Sequence, residues 1–225
     1  MAQTKTLHDV FVDELRDAYN GEQQITKALP KMIRAAESDE LRRALENHLD
    51  ETRTQIDRLE QAFSLLDEKA RGKKCDGIEG ILEEGKKIME EDLDGPVMDA
   101  ALIAGAQRVE HYEVAAYGTL VAWAEAMGHD EVAGLLKETL EEEKNADKTL
   151  SQLAESGINQ AALQQHGEED MGRTAKGNGR SNGRAKSNGR SPAGRGAAAK
   201  GRTDGRLASM AASQSRVASR ASRSR

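Results

Sequence analysis

Cysteine, proline and aromatic residues are all scarce in this chain. A single cysteine, Cys75, in 225 residues excludes an intrachain disulfide and fits a reducing compartment. Three prolines leave room for long uninterrupted helices. Aromatic residues make up 3% of the chain, too few for the core of a typical β-sandwich. No apolar run approaches the roughly 18 residues that a membrane span needs. The opening "MAQTKTLHDVF" lacks the apolar centre of a signal peptide. We therefore expect a soluble cytoplasmic protein with no membrane partner.

What is abundant is charge and helix-forming residues. Charged residues are 32% of the chain and apolar ones 37%, which suits an all-helical domain. The net charge of −6 hides a split. Residues 171–225 carry 14 Lys and Arg against one acid, Asp204, so this segment is +13 and the rest −19. The basic segment repeats Asn-Gly-Arg three times in "GNGRSNGRAKSNGRSPAGRG" and has almost no apolar side chains. It cannot bury enough surface to offset the entropy of ordering. The expected organisation is a helical domain over 1–165 and a disordered Arg/Gly/Ser/Ala-rich tail over 166–225. Such a tail has the electrostatics for non-specific binding of DNA or another polyanion. It offers no aromatic residue for base stacking.

Within the first region, apolar residues recur at helical spacing. Leu7, Phe11, Leu15, Ala18, Ile25, Leu29, Met32 and Ala36 share one face, so the spacing predicts a helix over 6–36, with Pro30 a point of irregularity. Ser38 or Asp39 starts a second helix, in which Leu41, Leu45, His48, Thr52, Gln55, Leu59, Ala62 and Leu66 follow a 4-3-4-3 spacing. "RGKKCDG" breaks the pattern, a short amphipathic helix runs over 78–91, and "DLDGP" reads as a turn. A third long helix spans about 97–127 and stops at Gly128. Asp130 caps a fourth that reaches about Ala154, with Gly157 as its stop. Four long helices with one longer crossover make an antiparallel bundle.

The stretch "QRVEHYEVAAYGTL" at 107–120 sets a problem for that bundle, because it carries Glu110 and Glu113 through an otherwise apolar helix. Burying an unpaired carboxylate costs several kcal/mol on an order-of-magnitude scale. Each of the other long helices also places an acid on its apolar stripe: Glu22, Glu51, and the pair Glu143 and Asp147. Spacings of three and four put each pair on one face. All lie near the middles of their helices, and in an antiparallel bundle the middles meet at one level. Five or six carboxylates would repel there unless cations bind, which points to a pair of hard or borderline divalent metals. The alternatives are a purely polar layer or an exposed strip. His48 reads either as a ligand or as a core histidine bonded to a neighbour, and Gln55, a further polar group on the stripe, is also a candidate metal residue. His111 faces away from Glu110 and reads as structural. Tyr19, Tyr112 and Tyr117 read as packing residues, with Tyr19 and Tyr112 able to bond carboxylates around the site. Cys75, beside Lys73 and Lys74 in a loop, reads as an inert thiol.

The segments "AYNGEQQITKAL", "HLDETRTQIDRLEQ", "KKCDGIEGILEE", "DAALIAGAQRVEHYEVAAYGTL" and "LLKETLEEEKNADKTL" closely resemble the YciF-like, stress-associated branch of the ferritin-like proteins. The likeness covers about residues 5–160, and five blocks in order make it specific. The resemblance implies a ferritin-like four-helix bundle with a crossover helix, commonly dimeric, holding two iron ions or, alternatively, two manganese ions. Glu22, Glu51, Glu110, Glu113, Glu143 and Asp147 match the family's acidic positions. Many ferritin-like proteins have a histidine where this chain has Gln55. On this reading Glu51 and Glu143 would bridge the metals, with Glu22 and Glu110 or Glu113 capping them. The expected chemistry is oxidation of Fe(II) or reduction of O2 or peroxide. The alternatives are a polyanion-associated stress protein and a bundle that metal merely stabilises.

Overall fold

The structure is a computed structural model and describes residues 4–164. The proposed tail over 166–225 lies outside the described residues. Five helices follow in order: α1 Leu7–Ala35, α2 Asp39–Leu65, α3 Asp76–Met89, α4 Gly95–Ala126 and α5 Asp130–Leu153. Among the described residues there is no strand, and no helix is long and apolar enough to cross a membrane.

The helix starts follow local chemistry. At α1, Thr6 accepts from the Asp9 amide while the Asp9 carboxylate accepts from the Thr6 amide, a reciprocal cap. At α2 the cap is Ser38, whose hydroxyl accepts from Leu41 at 3.3 Å. Pro96 sits in the first turn of α4, where its missing N–H costs nothing, so the helix begins inside the expected turn. Gly128 ends the α4 segment with φ +76°, a left-handed conformation that glycine adopts without strain.

Two expected boundaries are corrected. Asp130 is the first residue of α5 rather than its cap; His129 holds the capping position, with no side-chain bond to the helix. Gly157 does not stop the chain. A wide turn over Ala154–Ile158 absorbs its non-helical backbone, and the helix continues to residue 164. The apolar contact of Leu153, Ala154 and Ile158 with the core explains why the helix resumes.

Around the bundle the order is α1, α2, α5, α4. Side-chain pairings show each neighbour running antiparallel. Arg58 meets Glu142 while His48 lies beside Asn145 and Thr149, and His129 at the end of α4 packs on Phe11 near the start of α1. The 66–94 crossover returns the chain to the other end and lays α3 over α1 and α4. Gly77 makes that approach possible, because a Cβ there would sit 2.5–2.7 Å from the Tyr112 ring.

The core divides into two apolar clusters. One gathers Ile25, Leu29, Leu41, Leu45, Leu102, Val109 and Leu150; the other gathers Phe11, Leu15, Leu59, Phe63, Tyr117, Leu120 and Leu136. On every long helix the gap between the two clusters holds buried polar residues: Glu22, then Thr52 and Gln55, then Glu110 and Glu113, then Thr139 and Glu143.

Candidate metal centre

In that gap, one potential ligand atom each from His48, Glu110, Glu113 and Glu143 lies within 4.8 Å of the others, and all four residues are buried. Three helices contribute: α2, α4 and α5. The fourth, α1, brings Glu22, which is fully buried. One of its oxygens accepts from the Tyr117 hydroxyl. Glu22 also lies within proton-sharing reach of Glu113, as Glu110 does of Glu143.

Burial dominates their electrostatics. Loss of water first, then the charge of Glu143, holds the Glu22 carboxyl well above the usual carboxylate range. Burial and then the bond to Glu143 raise Glu110, and burial with the charges of Glu22 and Glu143 raises Glu113. Tyr117 is pushed up by burial and then by the charges of Glu22 and Glu113, so it remains a neutral donor.

The polar atoms here are also under-satisfied. Glu22 Oε2, Glu110 Oε2, Glu113 Oε2, Glu143 Oε2, Gln55 Oε1 and both ring nitrogens of His48 are buried without a hydrogen-bond partner. His48 Nε2 stands 3.5 Å from Glu110 Oε1, in ion-pair range but outside hydrogen-bond geometry. Buried groups of this kind almost always have partners. Asp99, the fifth buried acid of the described residues, shows the ordinary outcome: its two oxygens accept from the amides of Glu37 and Ser38 at 2.8 Å each, stitching the α1–α2 turn to α4. The donor set in the gap, carboxylates with one imidazole, is the chemistry that iron and manganese take.

The remaining candidates lie around this set. Glu51 is half-exposed on α2, 3.9 Å from His48 Nδ1, at the rim of the layer. Asp147 is turned aside: it accepts from Gln107 at 3.0 Å and lies 3.1 Å from His111 Nε2. Gln55 is fully buried and donates to Glu143 and, at 3.1 Å, to Glu142. Arg58 grips Glu142 through two bonds of 2.6 and 2.7 Å and so fixes the turn of α5 that carries Glu143.

Two residues, Tyr117 and Asp99, take roles that the sequence did not indicate. Tyr117, rather than Tyr19 or Tyr112, bonds a carboxylate of the layer. Tyr19 donates to Glu60 at 2.7 Å, away from it, and Tyr112 lies 3.4 Å from Asp17. Asp99 gives no signal in the sequence, where a lone acid near a helix start reads as solvated. Cys75 is fully buried at the start of α3, and burial raises its thiol despite the adjacent lysines.

Comparison with known proteins agrees with this architecture. The family described as a domain of unknown function, DUF892, matches residues 6–163. The chain is 46% identical over 159 residues to protein YciF of Escherichia coli K12, covering 70% of this chain and 96% of that one. Among solved structures, the E. coli stress protein YciF superposes with a TM-score of 0.67 at 46% identity, covering 69% of this chain and 99% of its own. YcfI of Rhodopseudomonas palustris gives 0.65 at 47% identity, covering 67% and 96%. A protein of Xanthomonas campestris pv. campestris gives 0.57 at 25%, covering 72% and 99%. The chain belongs to the DUF892 family and is one of its YciF-like members.

Proposed function

We propose that this protein is a non-haem dimetal carboxylate protein of the stress response, holding two iron ions, or manganese in their place. The observation that supports it is the set of seven buried, partnerless ligand-type atoms in one layer. Glu22, Glu110, Glu113, Glu143 and His48 would hold the metals, and Glu51 is near enough to join from the rim. When bound, an iron pair supplies the two electrons that reduce peroxide, with two protons, to two waters. The chain's own contribution is to hold Glu22, Glu110, Glu113 and Glu143 out of water around the metals. Metal loading displaces protons from groups that burial has raised. Tyr117 keeps one oxygen of Glu22 oriented. Metal analysis after native purification, followed by stopped-flow mixing of the Fe(II)-loaded protein with peroxide, tests the reading. A protein that carries no metal and ignores Fe(II) would refute it. A loaded protein that shows no oxidation would leave metal as a stabiliser of the bundle.

A second reading concerns the tail and rests on charge alone. The +13 segment is suited to phosphate, and the −19 remainder opposes it. The full chain should retard DNA at low salt, and a 1–165 truncation should not. Homodimerisation belongs to the same proposal. Light scattering at two concentrations decides it.

A further inference from the structure

Two cavities reach the carboxylate layer from opposite sides of the bundle, and their walls differ in chemistry. One, of about 110 Å³ between α2 and α5, is walled by Asn47, His48, Glu51, Glu110, Asn145 and Thr149, a stair of oxygen and nitrogen donors. The other, of about 90 Å³, lies between α1 and α4 beneath the first turn of α3. Its outer edge has Glu14 and Thr119, both exposed, and Asp17; its waist is mostly apolar, with Ala18, Gly21, Ile78, Ala116 and Leu120 beside Cys75 and Tyr112; Glu113 and Tyr117 line it from the carboxylate layer.

We propose that the α1–α4 cavity is the passage and binding site for a small uncharged oxidant of dioxygen or peroxide size, which meets the metal centre at Glu113. The inference rests on the dimetal reading above. Size is the first argument. The space is smaller than the roughly 150 Å³ of an engineered cavity that takes benzene, so it suits molecules of a few atoms. Charge is the second. Carboxylates at the mouth repel anions, and the apolar waist would strip a cation of its water, at an effective cost of several kcal/mol per ion. A neutral molecule meets neither barrier. The third argument is at the inner end. Glu113 is 4% exposed, and its Oε2 is among the buried atoms without a partner. The walls are held in place: Gly77 lets the Tyr112 ring lie against α3, and the Tyr112 hydroxyl stands 3.5 Å from Cys75 Sγ.

Nitric oxide, a neutral diatomic with a distinct absorption on ferrous sites, is a suitable probe. The full chain would be loaded anaerobically with Fe(II) and mixed with nitric oxide by stopped flow, while Co(II) uptake by the metal-free protein is followed separately. Ala116→Leu fills the waist and should slow adduct formation roughly tenfold or more. Co(II) uptake should stay close to the original rate. Thr119→Trp, at an exposed position where folding is safe, should slow it in the same direction and decides the matter if Ala116→Leu does not fold. Ala146→Leu, in the α2–α5 cavity, should do the reverse and slow Co(II) uptake alone. An unchanged nitric oxide rate in the folded variants overturns the inference, as does slowed Co(II) uptake by Ala116→Leu. Both results leave the dimetal reading standing. A parent protein that takes up neither metal overturns both.

Discussion

The two apolar ends of the bundle and the carboxylate layer between them are made by the same four helices, yet they meet burial in opposite ways. At the ends, Phe11, Leu15, Leu41, Leu45, Leu59 and Leu136 lose water and gain close-packed neighbours, and both changes stabilise the fold. In the layer, Glu22, Glu110, Glu113 and Glu143 lose water and gain one another, and each keeps an oxygen without a partner. Asp99 shows that burial of an acid is not itself the oddity, because two backbone amides satisfy it. What separates layer from ends is therefore unmet valence. Stability built at the ends is what allows the chain to hold a strained centre, a pattern common at functional sites.

Substitutions sharpen that contrast. The largest effect should come from Leu136→Ala, which opens a cavity in one apolar end and should cost about 2–5 kcal/mol in urea unfolding. Its metal stoichiometry should match the parent protein, and a lost metal would show that the ends and the layer are not separable. Asp99→Ala should cost about 1.5–3 kcal/mol, since a charged acceptor is withdrawn from two amides. Metal content should again be unaffected.

Glu113→Gln should act in the opposite sense. The metal-free variant should be more stable than its parent, on the order of 1 kcal/mol, because one repelling carboxylate is gone. Its metal content should fall. A variant that is both less stable and fully loaded would remove Glu113 from the site.

The pH dependence follows from the raised carboxyls. Glu22, Glu110 and Glu113 have folded pKa values well above the ordinary 4.5. Their contribution is fully present below that value and is lost as pH rises through the raised folded values. The thermal midpoint of the metal-free protein should thus fall from about pH 5 to about pH 8, whereas that of the loaded protein should rise, because ligation needs deprotonated groups. Parallel curves would mean that no ligand titrates. The smallest effect should come from Glu51→Gln. At a half-exposed rim position it should change stability by about 0.5 kcal/mol or less. Metal uptake should nonetheless weaken, and unchanged uptake would leave Glu51 outside the centre.

Much of this architecture was legible in the residue order. Apolar spacing located all four long helices and the crossover helix, because a period near 3.6 is imposed by the backbone and shows through any sequence that buries one face. The acids on those stripes marked the level of the layer for the same reason. The ends of the helices were less legible. Gly157 has the chemistry of a stop, yet Ile158 reaches the core and draws the helix onward. Glu51 and Asp147 sit at stripe positions by count, but the helices turn one to the rim and the other toward Gln107 and His111. Spacing resolves a face to about 100° per residue, and one step separates a ligand from its neighbour.

By itself, then, the sequence determined that four amphipathic helices must pack, and that their packing must confront several buried charges at one depth. Those are consequences of period and hydropathy, which local chemistry carries. Only the tertiary structure decided which charges meet. It drew His48 into the set, turned Asp147 away, gave Glu22 its tyrosine and left a small cavity beside Glu113. Those outcomes depend on the rotation of each helix about its axis and on the weight of α3 against α1 and α4. Both are settled by contacts between residues far apart in the chain, where no local pattern reaches.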